Sequence, residues 1–476
     1  MKLLDLLRKV TGYRNLVLYD NREKLEEWAQ WYRGNLSGFH DYTIYNGKNP
    51  IRVRRLSLNM AKKVCEDWAN LLINEKTDIT LSDERSQEVF EEIARVTKFW
   101  LKANVGVEKT MALGGGAWVV SVDNLSAYAN GTVGDDGKPE IAFVSAKNMI
   151  PITIEDDKIT ECAFIKFGTS ETRIAAHLRN KSGEYEVHNF VSEGVNLEGL
   201  TIDDSKSYIF KTGSREPWYV VLKPNIANNI KLESPLGISV FANATDCLRQ
   251  IDLVFDSYAN EFLLGKKRIF VNVQNSDIDP ITGEQHKVFD DTDLTWYRLP
   301  EAMDGKQLIQ DNTQLLRVAE HQQALQNHLN LLSYSCGMGT EHYKFDKGSI
   351  STATQIISEN SEMFRSIKKQ EILVEDALIE LVRILIYVCN TFTPYKMNPD
   401  VDIEVKFDDS IIIDKESERA QDRLDVAMGT MSKSEYRSKW YNEDLETAER
   451  IIDEIDSESI FDGDVTPATG EEVVTK

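Results

Sequence analysis

Apolar residues at Phe241, Ala244, Leu248, Ile251, Phe255, Tyr258 and Phe262 recur at spacings of 3, 4, 3, 4, 3 and 4 without interruption. An α-helix gathers that period into one narrow stripe, whereas a strand would scatter the same side chains over both faces. Ser234-Pro235 offers a capping side chain and a first-turn proline, and Gly265 a stop, so one helix of ~30 residues, roughly 45 Å long, is predicted. The pattern returns at Leu315, Val318, Gln322, Leu325, Leu329 and Leu332. Narrow stripes of this kind suit packing against neighbouring helices in a bundle or ring. An intramolecular helical hairpin satisfies the same period, and periodicity does not choose between them.

The flanking sequence is mixed. Leu25 to Gly34, Leu56 to Leu72 and Val89 to Leu101 carry helical spacing. Gly114-Gly115-Gly116 then opens a strand, Ala117 to Val122, and β-rich sequence follows to about residue 222: Ile141–Val144, Ile150–Ile154, Ile159–Phe167, Tyr185–Phe190 and Trp218–Leu222. Between the two stripe helices lie about fifty residues of strand and turn character, including Ile269–Val273 and Asp290–Arg298. Thr352-Ala353-Thr354-Gln355 has the Thr-x-x-Gln form of a capping box. It starts a third long helix whose apolar face runs through Ile356, Phe364, Ile367, Val374, Leu378, Leu381, Leu385 and Val388 and stops before Pro394. A strand at Val401 to Phe407 precedes two charged helices, about 416–428 and 432–456, and a tail from Ser457 predicted to be disordered. At 476 residues the chain needs more than one structural module.

Charge narrows the function classes. Asp plus Glu number 78 against 55 Lys plus Arg, a formal charge of −23. From Val401 to Lys476 there are 22 acidic and 9 basic residues, a net of −13. Such a chain is ill suited to gripping nucleic acid, because phosphate neutralisation by Lys and Arg supplies most non-specific affinity. Letting DNA slide past is a different demand, and acidity does not exclude it. Five scattered cysteines without a C-x-x-C pair fit a reducing compartment and argue against a disulfide framework or a zinc site. The N-terminus is too short and too charged for a signal peptide, and no apolar run approaches the ~18 residues of a membrane span.

No motif of catalysis stands out. Of seven histidines, only His321 and His328 share a helix face, two turns apart, and a packed or solvated residue explains each. Gly114-Gly115-Gly116 follows a helix and opens a strand, the reverse of a phosphate loop, so it reads as a tight turn. Asp156-Asp157 and Asp203-Asp204 read as turn residues.

Four motifs in order carry a family resemblance. They are Trp31-Tyr32-Arg33-Gly34; Arg55-Leu56-Ser57-Leu58-Asn59-Met60-Ala61-Lys62; Ser234-Pro235-Leu236-Gly237-Ile238-Ser239 with Asp252 and Asp256 downstream; and Ser351-Thr352-Ala353-Thr354-Gln355-Ile356. Around two stripe helices they resemble the portal proteins of tailed phages, in the siphophage-like branch infecting Gram-positive bacteria. Gln355 stands where that family often has Glu.

The resemblance implies an α+β chain, mainly helical, with portal architecture. A wing would comprise 1–233 and the long helix of 351–400. The stem would be 234–267 and 315–336, the clip 268–314, the tunnel loop 337–350 and the crown within 401–456, ahead of the tail at 457–476. It further implies a ring of twelve copies at one capsid vertex of the virion, assembled in the host cytoplasm. Implied partners are double-stranded DNA in the channel, terminase, the major capsid or scaffolding protein and head-completion connector proteins. No cofactor, metal, membrane contact or catalytic residue is implied. His342, Tyr343, Lys344 and Lys347 would face DNA from the tunnel loop. Phe241, Leu248, Ile251, Phe255, Tyr258, Phe262, Leu315, Val318, Leu325, Leu329 and Leu332 would pack subunits together in the stem. The competing readings are an intracellular helical scaffold or adaptor with no DNA role, and a carboxylate-based hydrolase using two converging acids.

Overall fold

The computed structural model describes residues 3–11, 22–45, 47–126, 133–194, 199–232, 234, 236–271, 276–278, 280–287, 296–298, 309–311, 315–345, 353–407, 415–441 and 443–461. They fall into two compact units, Met1–Lys347 with Ser361–Asp408, and Gly348–Asn360 with Asp409–Lys476.

The first unit begins with helices α1 (Leu3–Thr11) and α2 (Arg22–Tyr32), a hairpin of β1 (Asp41–Tyr45) and β2 (Pro50–Arg54), α3 (Met60–Leu72) and β3 (Asp78–Leu81). Helices α4 (Glu84–Thr97) and α5 (Phe99–Leu113) follow. The single helix expected over 89–101 is therefore two, because Lys98 takes a left-handed conformation (φ 54°) that ends one and starts the other. Asp83 caps α4 by accepting the backbone N–H of Ser86 at 2.9 Å.

Next come β4 (Gly116–Asp123), β5 (Lys138–Ser145), β6 (Met149–Glu155), β7 (Lys158–Phe167), β8 (Glu171–Arg179), β9 (Tyr185–Glu193), β10 (Thr201–Ile202), β11 (Tyr208–Lys211) and β12 (Tyr219–Leu222). They form a three-stranded sheet in the order β12-β4-β5 and a meander β10-β9-β8-β7-β6, with β11 also paired to β9. Asp156 and Asp157, both at positive φ, make the turn between β6 and β7, as their composition predicts. Leu6 and Leu7 of α1 pack onto Ile152, Ile165 and Ile174 of the meander, so the amphipathic N-terminus belongs to the core. A second cluster, Ala117, Phe164 and Tyr219 among others, draws on both sheets.

Helix α6 (Thr245–Leu264) has 20 residues rather than ~30. The stretch before it is held in another shape by a neighbouring turn. Gly114 sits at φ 71°, and a Cβ there would lie 2.6 Å from the Gly237 carbonyl oxygen and 2.7 Å from Ile238 Cα. The Ser239 hydroxyl and the Val240 N–H both donate to the Met111 carbonyl, at 3.2 and 2.9 Å. These bonds draw Leu236, Ile238, Val240 and Phe241 into the core, so Phe241 is buried ahead of the helix that its spacing had assigned it to.

Beyond α6 lie short strands β13 (Ile269–Val271), β14 (Ser276–Ile278), β15 (Gln285–Lys287), β16 (Trp296–Arg298) and β17 (Ile309–Asp311). β13 pairs with β16 and β17, and β14 with β15. The second stripe becomes α7 (Val318–Ser335), packed on α6. In α8 (Ala353–Phe392) the predicted face is buried at Ile367, Val374, Leu378, Leu381, Leu385 and Val388. β18 (Ile403–Lys406) pairs with β3. Among the described residues no helix is long and apolar enough to cross a membrane, and the five cysteines are free.

The second unit contributes α9 (Lys415–Met428), α10 (Lys433–Tyr441) and α11 (Leu445–Phe461). The helix expected over 432–456 is again two. Arg437 holds Glu443 through two hydrogen bonds of 2.7 and 3.1 Å, and Asp444 accepts the Thr447 N–H at 3.2 Å, capping a new helix. Polar contacts dominate here: Asp422 accepts the Trp440 indole N–H at 2.8 Å and pairs with Lys439 at 2.7 Å. The tail expected to be disordered is helical as far as Phe461, and 462–476 lie outside the described residues.

Gly114→Ala is predicted to cost about 1–3 kcal/mol, because a side chain would meet backbone that cannot move aside, at a φ that L-residues resist. Chemical denaturation measures it, and a variant as stable as the parent would contradict the close approach.

Candidate functional site

Three of the four sequence motifs meet at the root of α6. Asp252, on the first turns of that helix, is 3% exposed, yet its carboxylate is fully engaged. Oδ1 accepts the Leu58 N–H at 2.8 Å, and Oδ2 accepts the Ser57 hydroxyl and His40 Nε2, each at 2.9 Å. One turn on, Asp256 Oδ1 accepts the Leu56 N–H at 3.0 Å. Two carboxylates at i and i+4 thus read the backbone of 56–58 as an extended segment.

The protonation of His40 follows from its other nitrogen. Nδ1 lies 2.7 Å from the Leu36 N–H, a donor only, so Nδ1 accepts and the proton sits on Nε2 facing Asp252. The buried group is therefore one carboxylate compensated by three donors. Trp31 meets the His40 ring edge-on at 5.6 Å, and Arg249 of α6 lies over Phe39 at 5.2 Å. Arg55 donates to the Phe39 carbonyl at 2.7 Å, with its guanidinium 4.2 Å above the Phe39 ring. Gly34 takes φ 67°, a left-handed conformation that glycine adopts without strain, and a Cβ there would stand 3.0 Å from the Asn59 side chain. Beside this knot Glu108 accepts the Tyr32 hydroxyl at 2.6 Å and pairs with Lys62 at 2.7 Å. Burial, reinforced by Glu108, pushes the Tyr32 hydroxyl well above the usual phenol range.

At the far end of α6, Arg317 grips Glu261 through Nε at 3.1 Å and Nη2 at 2.8 Å, closing the α6–α7 pair. Those hydrogen bonds hold the Glu261 carboxyl down to about 2. His321 Nε2 stands 3.6 Å from the same carboxylate and its ring 5.6 Å from Tyr258, so it adds to the contacts of the helix pair. No cluster of metal-ligating residues occurs among the described residues.

The stripe residues divide. Phe241, Leu248, Ile251, Leu329 and Leu332 are buried within one chain, so their packing is intramolecular and they offer no surface to a neighbour. Phe255, Tyr258, Val318 and Leu325 are half-buried, and Phe262 and Leu315 are 47% and 93% exposed. The helical hairpin left open by periodicity is thus present at the root of the pair, and the surface left for other partners is confined to its outer part.

The loop after α7 is tied to α3. Trp68 Nε1 donates to the Cys336 carbonyl at 3.1 Å, and the Tyr343 hydroxyl to Asp67 at 3.0 Å, with His342 Nε2 3.6 Å from that carboxylate. Burial raises the Asp67 carboxyl, but the bonds from His342, Lys63 and Tyr343 outweigh it and hold the group low. Tyr343, expected to face DNA, is buried here as a donor to Asp67. Lys344 pairs with Glu341 at 3.2 Å, and Lys347 lies outside the described residues. Sequence reasoning passed over His40, Asp67 and Glu108, whose partners sit far away along the chain.

The family model described as "Phage portal protein, SPP1 Gp6-like" matches residues 19–460. No curated protein matches the chain. Among solved structures it is similar to a chain in "Neck of native GTA particle computed with C12 symmetry", at 10% identity over 91% of this chain and 96% of that one, with a TM-score of 0.49.

Asp252→Ala would leave His40 Nε2 and the Leu58 N–H buried without an acceptor, a predicted loss of about 3–5 kcal/mol. An unfolding midpoint unchanged from the parent would show that the carboxylate does not hold α6 to the N-terminal segment.

Proposed function

The chain belongs to the SPP1 Gp6-like family of phage portal proteins, and on that premise we propose that its copies close into a ring at one capsid vertex, through which double-stranded DNA is packaged and ejected. The observation that carries the ring is the outer part of the α6–α7 pair, where Phe262, Leu263, Leu315 and Leu316 are 47%, 58%, 93% and 40% exposed in one chain. Large apolar side chains gathered at one end of a helix pair mark a surface meant for a protein partner.

In this reading the stem is 234–267 and 315–336, which contain α6 and α7, 268–314 is the clip, 337–350 the tunnel loop, 1–233 with 351–400 the wing, and 401–456 the crown. Twelve copies surround the channel. The clip meets the terminase motor and then the head-completion proteins, and the wing meets capsid or scaffolding protein. The chain itself performs no chemical step, and ATP-driven translocation belongs to the terminase.

Net charge of −23 per copy suits a conduit. Carboxylates along a wall repel phosphates and deny DNA the counterion release that makes it adhere. Lys344 and Lys347 supply weak, replaceable contacts from the tunnel loop.

Two outcomes test this. Phe262→Asp, which leaves the lone chain folded because the residue is already half exposed, should shift sedimentation from ring to free subunit; sedimentation as intact rings would remove this face from the interface. Replacing Lys344 and Lys347 together with alanine should reduce the DNA retained per head, and full heads would refute their contact with it.

A further inference from the structure

The hairpin of β1 and β2 carries more surface chemistry than its own chain uses. Its register pairs Tyr42 with Val53 and Ile44 with Ile51, placing these four apolar residues on one face, with Thr43, Arg52 and Arg54 on the other. The inner pair is half-buried, with the Arg55 guanidinium 4.8 Å above the Tyr42 ring. The outer pair is uncovered, Ile44 being 45% and Ile51 40% exposed, while Tyr45 on the arginine face is 71% exposed. Two strands alone are marginal in water, and an apolar face on them calls for a cover.

Its charge is also anomalous. Between Asp41 and Arg54 stand three bases and one acid, in a chain that is otherwise strongly acidic. Arg33, Arg173, Arg179, Arg317 and Arg437 each rest on a carboxylate. Arg52 and Arg54 are exposed, and neither has an ion-pair partner among the described residues.

We propose that this hairpin docks on an acidic surface of a second copy of the chain, its neighbour in the ring, an inference that rests on the ring reading above. Two arguments fix the occupant. With 78 acidic residues against 55 basic ones, another copy presents mainly carboxylate to Arg52 and Arg54. The hairpin cannot pair with itself in a two-fold contact, since that would bring the same arginines together. It must meet a different patch of the next copy, and such head-to-tail contacts generate rings when the rotation closes. Duplex DNA would attract the arginines but gives Ile44 and Ile51 nothing to pack on.

The test uses the full chain. Arg52→Glu with Arg54→Glu, and separately Ile44→Ser with Ile51→Ser, are diluted beside the parent, and ring and subunit populations are counted by mass photometry at low and high salt. The charge-reversed rings should dissociate at a concentration at least tenfold higher and lose the salt sensitivity of the parent, and the serine pair should weaken rings at all salt concentrations. Far-UV circular dichroism should stay unchanged, and Arg52→Gln with Arg54→Gln repeats the measurement should charge reversal disturb folding. Variant rings as stable as the parent's would overturn the hairpin contact and leave the ring standing. Rings of full stability that lose only DNA retention would overturn it in favour of nucleic acid. A parent that never assembles would overturn both readings.

Discussion

One buried carboxylate organises this chain. Asp252 accepts hydrogen bonds from the Leu58 backbone, the Ser57 hydroxyl and the neutral His40 ring, three groups that lie 194 to 212 residues away in sequence. A carboxylate withdrawn from water is tolerated only when its lone pairs are met, so the site is stable as a whole or not at all. It fixes the root of α6 against the N-terminal helices. Everything that α6 positions, including the Arg317–Glu261 clamp at its far end and the exposed apolar groups beside it, inherits its geometry from that anchor.

A second device works alongside it. Gly114 and Gly237 let two backbones approach where no side chain fits, and the Met111 carbonyl takes bonds from both Ser239 and Val240. The segment leading into α6 is thereby seated on the turn between α5 and β4. Carboxylate and glycine contact together set where the helix begins. This gives the sequence motifs a physical meaning: Trp31 to Gly34, Arg55 to Lys62 and Ser234 to Asp256 are the parts of one joint.

Legibility in the sequence followed the range of the interaction responsible. The stripe of α7 and the face of α8 were readable because side-chain period alone produces them, and the Asp156-Asp157 turn because those residues tolerate positive φ. α6 starts about ten residues beyond the Ser234-Pro235 entry: Phe241 keeps helical spacing, but tertiary hydrogen bonds to Met111 hold its segment outside the helix. Strand β8 was missed because Ala175 and Ala176 dilute its β signal, and β1 and β2 because only half of their apolar face is covered. At the candidate site the motif residues were visible, but their partners were not. Nothing local links His40 to Asp252, and Tyr343, read as a channel residue, proved to be a buried donor to Asp67.

The chain is a portal-family subunit, stiffened at the root of its helix pair and with large apolar groups exposed at its outer end. Direct imaging of the purified full-length protein by electron microscopy tests its closure into a ring most simply. Annular particles with an open centre, built from a fixed number of copies, are predicted. Compact single subunits with no central opening, at concentrations well above those of assembly in a cell, would contradict it.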